Sequence, residues 1–151
     1  MELLKLAALD RDDLEVVSTH LQDATLSVSD VHWRPTEKRL VMSLARFDWA
    51  GSVNELAQFQ RRRTALRFDR VNSIKCRNVN CKDKRALLNL LAIEFEESDP
   101  PGGVVTLMFS SGAALRLEVE CLECELVDLG PVWMETCRPT HAEDIDDIRT
   151  A

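Results

Sequence analysis

The sequence predicts an α+β fold: a mostly antiparallel β-sheet or partly open barrel, for example of the pleckstrin-like kind, with an N-terminal helix and a short C-terminal helix. Apolar and polar residues alternate in several segments, as in strands with one buried face. Short turns connect these segments, which favours antiparallel neighbours. The 151 residues suit one domain. We expect it to span residues 1–138, followed by an acidic, mobile tail over residues 139–151.

The first elements are a strand and a helix. Residues 3–9 (LLKLAAL) are alternating enough for a strand. Asp10 can cap a helix over residues 11–21, because its carboxylate can accept a hydrogen bond from a free backbone N–H of the first turn. Leu14, Val17 and Leu21 would then share the buried face of this helix.

Strands follow in the middle of the chain. Residues 24–33 and 39–49 alternate with a period of two and predict two strands. The capping-box spacing of Ser and Glu within residues 52–55 suggests a single helical turn. Residues 64–76 begin as a strand, but the alternation is lost near Arg70, which indicates a bulge.

Three more strands and a helix are predicted towards the C-terminus. Residues 86–97 form an apolar run of strand length, and the segment VVTLMFS returns after the turn SDPPGG. Residues 115–121 alternate strictly, with Cys121 as the last inward residue. From Leu122 the leucine spacing becomes helical, so we expect a short helix over about 122–129 that leaves Cys124 exposed opposite the leucine face.

Cysteines occur in two close pairs, Cys76 with Cys81 and Cys121 with Cys124. Together they raise the alternative of a zinc- or thiol-dependent enzyme, because zinc binds four thiolate or imidazole ligands. Neighbouring glutamates oppose this alternative, since they disfavour thiolate at Cys121 and Cys124. We therefore expect ordinary free thiols in a reducing cytoplasm, with no metal or other cofactor. Cys124 should react with thiol reagents faster than Cys121.

Charge is distributed unevenly along a chain whose net charge is −7. Residues 34–85 carry 14 Lys and Arg against 5 Asp and Glu, a balance of +9, and the remainder carries 5 against 21, a balance of −16. Five arginines lie within ten residues of this basic stretch: Arg61, Arg62, Arg63, Arg67 and Arg70. Clustered arginines suit bidentate contact with phosphate or carboxylate, so these five are the candidate ligand-binding residues.

A second interpretation of the arginines is internal pairing. Outward Arg67 and Arg70 would face carboxylates on other strands, namely Glu94, Glu96, Glu118 or Glu120. Replacement of Arg61, Arg62 and Arg63 by Ala separates the two interpretations. It should remove ligand capture with little loss of stability if they are exposed, and unfold the domain if they are paired.

The sequence contains no recognisable catalytic motif, so we expect no catalytic residues. The predicted function is that of a non-catalytic cytoplasmic binding or scaffold domain that recognises an anionic ligand or an acidic protein surface. Nucleic acid is disfavoured as a partner by the isoelectric point near 5.0. A membrane is disfavoured because no apolar run approaches the roughly 18 residues of a span.

Three segments carry a family resemblance: LKLAALDRDDLEVVSTHLQDA, RRRTALRFDRV and ALRLEVECLECELVDLGP. They resemble an uncharacterised alphaproteobacterial family, domain of unknown function 2948. The similarity runs from about Leu4 to about Arg138. It implies a bacterial, cytoplasmic, single-domain protein and assigns no site residues.

Overall fold

Antiparallel β-strands and one α-helix make up the described part of the chain, which comprises residues 3–47, 60–129 and 133–134 of a computed structural model. The helical turn expected within 52–55 and the tail over 139–151 lie outside these residues. The helix is α1 (Arg11–His20), and the strands are β1 (Lys5–Ala8), β2 (Thr25–Ser27), β3 (Val31–Arg34), β4 (Arg39–Phe47), β5 (Gln60–Phe68), β6 (Val71–Arg77), β7 (Leu87–Glu97), β8 (Gly103–Phe109), β9 (Ala114–Val119), β10 (Cys124–Asp128) and β11 (Trp133–Met134).

The strands form one open sheet with the order β1-β10-β5-β4-β2-β7-β8-β9-β6, to which β3 adds beside β4 and β11 beside β5. We call β1, β10, β5 and β4 the first half of the sheet, and β7, β8, β9 and β6 the second half. Short β2 connects the halves by pairing with both β4 and β7. The prediction of a mostly antiparallel sheet with an N-terminal helix is confirmed.

One hydrophobic cluster joins the inward faces of the two halves and α1. Its largest fully buried side chains come from all three, among them Leu66 and Phe68 of the first half, Leu107 and Leu117 of the second half and Leu14 of α1. Burial of each such side chain contributes about 1.5–3 kcal/mol. This shared core fixes the two sheet halves relative to each other.

Helix α1 begins and ends close to where the sequence predicts. The Asp10 carboxylate accepts a hydrogen bond from the Asp13 backbone N–H at 2.8 Å, as expected of a capping residue. Leu14, Val17 and Leu21 are buried. The prediction of a helix over residues 11–21 is confirmed. The observed helix begins at the predicted residue and ends one residue earlier, at His20.

Side chains of α1 form hydrogen bonds with backbone groups of β7 in the part of β7 that lies beyond the end of β2. The pairing of β2 with β7 stops at Asn89. Beyond it, the Ile93 N–H donates to the Ser18 hydroxyl at 3.0 Å, and the Arg11 guanidinium donates to the Phe95 carbonyl at 3.3 Å. The helix therefore takes the place of a strand along this part of β7.

Two predicted strands are each divided. Within residues 24–33 a 3₁₀ turn, Val28–Asp30, separates β2 from β3. The single strand predicted over 64–76 is β5 followed by β6, with a turn at Arg70 between them. The irregularity expected near Arg70 is present directly after this turn, where the register of β6 against β9 shifts between Val71 and Ser73. Arg70 has φ 62°, a left-handed conformation that redirects the chain from the first half of the sheet to the second.

The helix predicted over residues 122–129 is wrong, because β10 occupies this segment. Leu122, Cys124, Leu126 and Asp128 are all buried and alternate with a period of two. Leu129, which fits the helical leucine spacing, is 55% exposed. Strands on both sides of β10 satisfy its backbone, so tertiary pairing decides the conformation here.

Candidate functional site

The arginines of β5 are divided between the two faces of the sheet. Arg62 points inward and is 3% exposed, whereas Arg63 and Arg67 are half-buried on the outward face. Arg70 is exposed in the turn after the strand. For Arg61 the structure describes the backbone, which pairs with Phe47 of β4 and Trp133 of β11. Strand alternation thus places neighbouring arginines on opposite sides.

A buried ionic cluster surrounds the Asp128 carboxylate at one end of the core. Arg46 donates two hydrogen bonds to it, from Nε at 2.9 Å and from Nη2 at 2.7 Å. The Thr64 hydroxyl and the Leu4 backbone N–H each donate another at 2.8 Å. The Arg62 Nε atom lies 3.9 Å from the carboxylate. One carboxylate therefore links β10, β4, β5 and the N-terminal segment.

Opposing effects set the pKa of Asp128. Burial alone would raise the pKa of this carboxyl, but the hydrogen bonds from Arg46, the Leu4 N–H and Thr64 outweigh burial and leave the pKa below its usual value. The ionised carboxylate is therefore the form that the fold stabilises. This role is not predictable from local sequence, because Asp128 lies in a segment with helical leucine spacing.

Outward Arg67 belongs to a network of charges across neighbouring strands. Its Nε atom donates to Asp69 at 2.9 Å, and its Nη2 atom lies 3.6 Å from Glu125, its partner in register on β10. Asp69 also accepts a hydrogen bond from Arg39 at 2.7 Å. Opposite charges in register on adjacent strands stabilise a sheet by roughly 0.2–1 kcal/mol per pair.

The other described arginines of this segment also have partners. The Arg63 Nη1 atom donates to the Ser43 hydroxyl at 3.2 Å, and the Arg70 Nε atom donates to Glu123 at 3.4 Å. Internal pairing is thus present for Arg67 and Arg70, but their direct partners are Asp69, Glu125 and Glu123 rather than the expected carboxylates. The reason is topological, because β5 lies between β4 and β10. Of the expected carboxylates, Glu120 is attracted to Arg70: its pKa is lowered first by the hydrogen bond from Lys38 and also by the charge of Arg70.

The cysteine pairs lie in separate parts of the sheet. Cys76 is on β6 and Cys81 in the following loop, and both are exposed, whereas Cys121 is half-buried and Cys124 is buried on β10. All four are free thiols. Cys124 is buried, so the expectation that it is exposed is wrong. Burial raises the pKa of Cys124 to about 12, and we therefore expect it to react more slowly than Cys121.

A four-thiol metal site requires both pairs in one place. Among residues 3–47, 60–129 and 133–134, no group of three or more His, Cys, Asp and Glu side chains is placed to hold a metal ion. Cys76 and Cys81 do influence each other. Partial burial raises the pKa of Cys76 first, and the neighbouring Cys81 thiol raises it further.

A groove of about 1130 Å³ is lined by α1 and by the four strands of the second half of the sheet. Four basic side chains line it: Arg11, Lys75, Arg77 and Arg116. Its carboxylates are Glu15 on α1 and Glu94 and Glu96 on β7. The groove is therefore acidic along β7 and basic where β9 and β6 meet.

The basic end of the groove juxtaposes like charges. Lys75 of β6 lies directly opposite Arg116 of β9, and Arg77 follows two residues later on the same face. All three side chains are exposed. In the described part of the chain, no carboxylate lies within 4.0 Å of any of them. The sequence does not reveal this cluster, because Arg116 is about 40 residues from Lys75 and Arg77 and only the β6–β9 pairing brings it beside them.

Comparison with known proteins identifies a family without assigning a site. The profile of the family described as "Protein of unknown function (DUF2948)" matches residues 4–141, and the chain belongs to this family. No curated protein and no solved structure matches the chain. Within the described residues, no helix has the length and apolar character needed to cross a membrane.

Proposed function

We propose that this member of the DUF2948 family is a non-catalytic cytoplasmic binding domain that recognises an acidic protein segment at the basic end of the groove. The observation that carries the proposal is the cluster of Lys75, Arg116 and Arg77, in which two like charges face each other across adjacent strands. The free thiols of the described cysteines suit a reducing compartment.

Physical chemistry favours an anionic ligand for this cluster. Like charges in register on neighbouring strands repel each other and destabilise the sheet. A carboxylate placed beside Lys75 and Arg116 would replace this repulsion with attraction. The size of the groove, about 1130 Å³, exceeds the 300–1,000 Å³ typical of small-molecule pockets. A segment of a protein therefore fits the groove better than a small anion.

The β5 arginines are the less favourable site. Arg67 and Arg70 already contact carboxylates of this chain, and Arg62 is buried beside Asp128. A ligand would have to compete with Asp69, which Arg67 contacts at 2.9 Å. The competition reduces the free energy available for binding, since the ligand exchanges one ion pair for another.

Fluorescence anisotropy with a labelled Glu-rich peptide tests the proposal. We expect Lys75→Glu/Arg77→Glu to weaken binding by at least about tenfold, which is about 1.4 kcal/mol. The matched control is Lys5→Glu/Arg34→Glu, which makes the same change in net charge elsewhere on the surface. It should alter affinity by less than about twofold. Binding should also weaken as salt rises, because exposed charges are screened.

A third variant distinguishes the two arginine-containing regions. Arg67→Ala/Arg70→Ala should leave peptide affinity within about twofold of the wild type. If this variant loses binding while Lys75→Glu/Arg77→Glu retains it, the β5 arginines are the site and the groove is not. If Lys75→Glu/Arg77→Glu and the control Lys5→Glu/Arg34→Glu lose binding equally, only the net charge of the protein matters and the proposal of a defined site is wrong.

A further inference from the structure

Strand β6 forms an open end of the sheet. It pairs with β9 along one edge. On its other edge, the Val71 N–H donates to the Lys38 carbonyl at 2.9 Å, and in the described part of the chain no strand lies beside Asn72 to Arg77. An edge strand of this kind presents unpaired N–H and C=O groups on alternate residues.

The two ends of the sheet differ. At the opposite end, β1 packs against α1, which also covers part of β7. The helix thus packs beside the β1 end of the sheet, while the β6 end adjoins the basic part of the groove. The open edge and the cation cluster therefore coincide.

The side chains of β6 define what a neighbouring strand would need. Lys75 and Arg77 lie on the outward face, and Ile74 and Cys76 lie on the other face, where Ile74 packs against the core. An added strand would place its own side chains beside these in alternation. Carboxylates at every second position would meet the two cations, and apolar side chains between them would extend the core face.

The same cations restrict which strands can pair. Lysine on an edge strand and an adjacent bulge are common protections against unwanted strand pairing. Here Lys75 lies on the edge, and the register shifts between Val71 and Ser73. A basic strand would be repelled by Lys75 and Arg77, whereas an acidic strand would be attracted. Lys75 and Arg77 thus select for an acidic strand at this edge.

We infer that the acidic segment binds as an additional β-strand on the free edge of β6, with carboxylates at alternate positions and apolar residues between them. This inference rests on the proposed function and specifies the conformation and sequence pattern of the ligand. Main-chain hydrogen bonds to β6 supply affinity, and Lys75, Arg77 and Arg116 supply specificity.

Synthetic peptides of about eight residues, long enough to cover the 7 residues of β6, test the inference by fluorescence anisotropy. One peptide alternates Glu and Val, and a second has the same composition with all Glu preceding all Val. We expect the alternating peptide to bind at least about tenfold more tightly. Two further peptides carry N-methyl groups on every second backbone amide. One peptide is methylated at the odd-numbered positions and the other at the even-numbered positions, so that one loses the N–H groups that face β6 and the other loses those that face solvent. Only one of the two should bind.

The outcomes separate this inference from the proposed function. Equal binding of all four peptides, with loss in Lys75→Glu/Arg77→Glu, overturns strand addition and leaves the acidic ligand in place. No binding of any peptide overturns both. Alkylation of wild-type protein locates the ligand, because an added strand should slow labelling of Cys76 while leaving half-buried Cys121 unchanged. Binding without protection of Cys76 overturns the placement on β6.

Discussion

Strands β5 and β6 follow each other in the chain, yet the outward cations Arg67 and Lys75 lie in register with neighbours whose charges differ from each other in sign. On β5, Arg67 lies in register with Glu125 of β10. On β6, Lys75 lies in register with Arg116 of β9. The turn at Arg70 sends the two strands to different halves of the sheet, so different neighbours determine what their charges meet. Pairing partners, rather than the local density of arginine, decide whether a cation stabilises the fold or remains available to a ligand.

The largest effect should come from removing the carboxylate that holds the buried arginines. Asp128→Ala leaves Arg46 and Arg62 buried beside an apolar side chain, and loss of one member of a buried ion pair costs about 3–5 kcal/mol. Urea denaturation should show this loss. Glu123→Ala, which removes the exposed partner of Arg70, is the control and should cost less than about 1 kcal/mol. Similar losses in both variants would remove the distinction between buried and exposed pairs.

Thiol labelling compares the strands through their cysteines. Cys124 on β10 is buried and its pKa is raised to about 12, whereas Cys76 on β6 is exposed. We expect iodoacetamide to modify Cys124 at least about a hundredfold more slowly than Cys76, because the thiolate is the reactive form. Mass spectrometry of digested protein resolves the sites. Labelling at equal rates in the folded protein would contradict the burial of β10.

Acidification should weaken the first half of the sheet through Asp128. The folded pKa of this carboxyl is below its usual value, so its contribution to stability is fully present above the unfolded pKa of about 3.9 and is lost as pH falls through the folded pKa. The free energy of unfolding should therefore fall below about pH 4. Asp128→Asn should show a smaller fall over the same range. An identical slope in the two proteins would exclude Asp128 as a source of the pH dependence.

The smallest effect on stability should come from β6. Lys75→Ala/Arg77→Ala removes exposed cations that have no carboxylate within 4.0 Å in the described part of the chain. Its free energy of unfolding should stay within about 0.5 kcal/mol of the wild type, as is usual for surface substitutions. A loss comparable to that of Asp128→Ala would mean that Lys75 and Arg77 stabilise the fold and are not kept available for a ligand.

Local signals made part of this architecture predictable. The Asp10 cap and the spacing of Leu14 and Val17 lie within one helix and suffice to define it. The segment 122–129 has a misleading pattern, because its inward residue Asp128 is charged and its apolar residue Leu129 is exposed. The spacing of its leucines therefore resembles that of a helix although the segment is a strand. The arginine cluster was visible in the sequence, but its partners on β10 depend on long-range pairing. The same is true of Lys75 and Arg116, which no local pattern brings together.

A nuclear magnetic resonance titration can show whether the ligand binds at β6 or at the β5 arginines, because it observes both strands in one experiment. Isotope-labelled protein is titrated with the alternating Glu-Val peptide, and changes in backbone amide shifts are mapped onto the chain. If the peptide binds at β6, the largest changes should occur in residues 72–77 of β6 and 114–118 of β9, with small changes in residues 60–70. The largest changes within 60–70, with β6 unperturbed, would contradict binding at β6 and assign ligand binding to the β5 arginines.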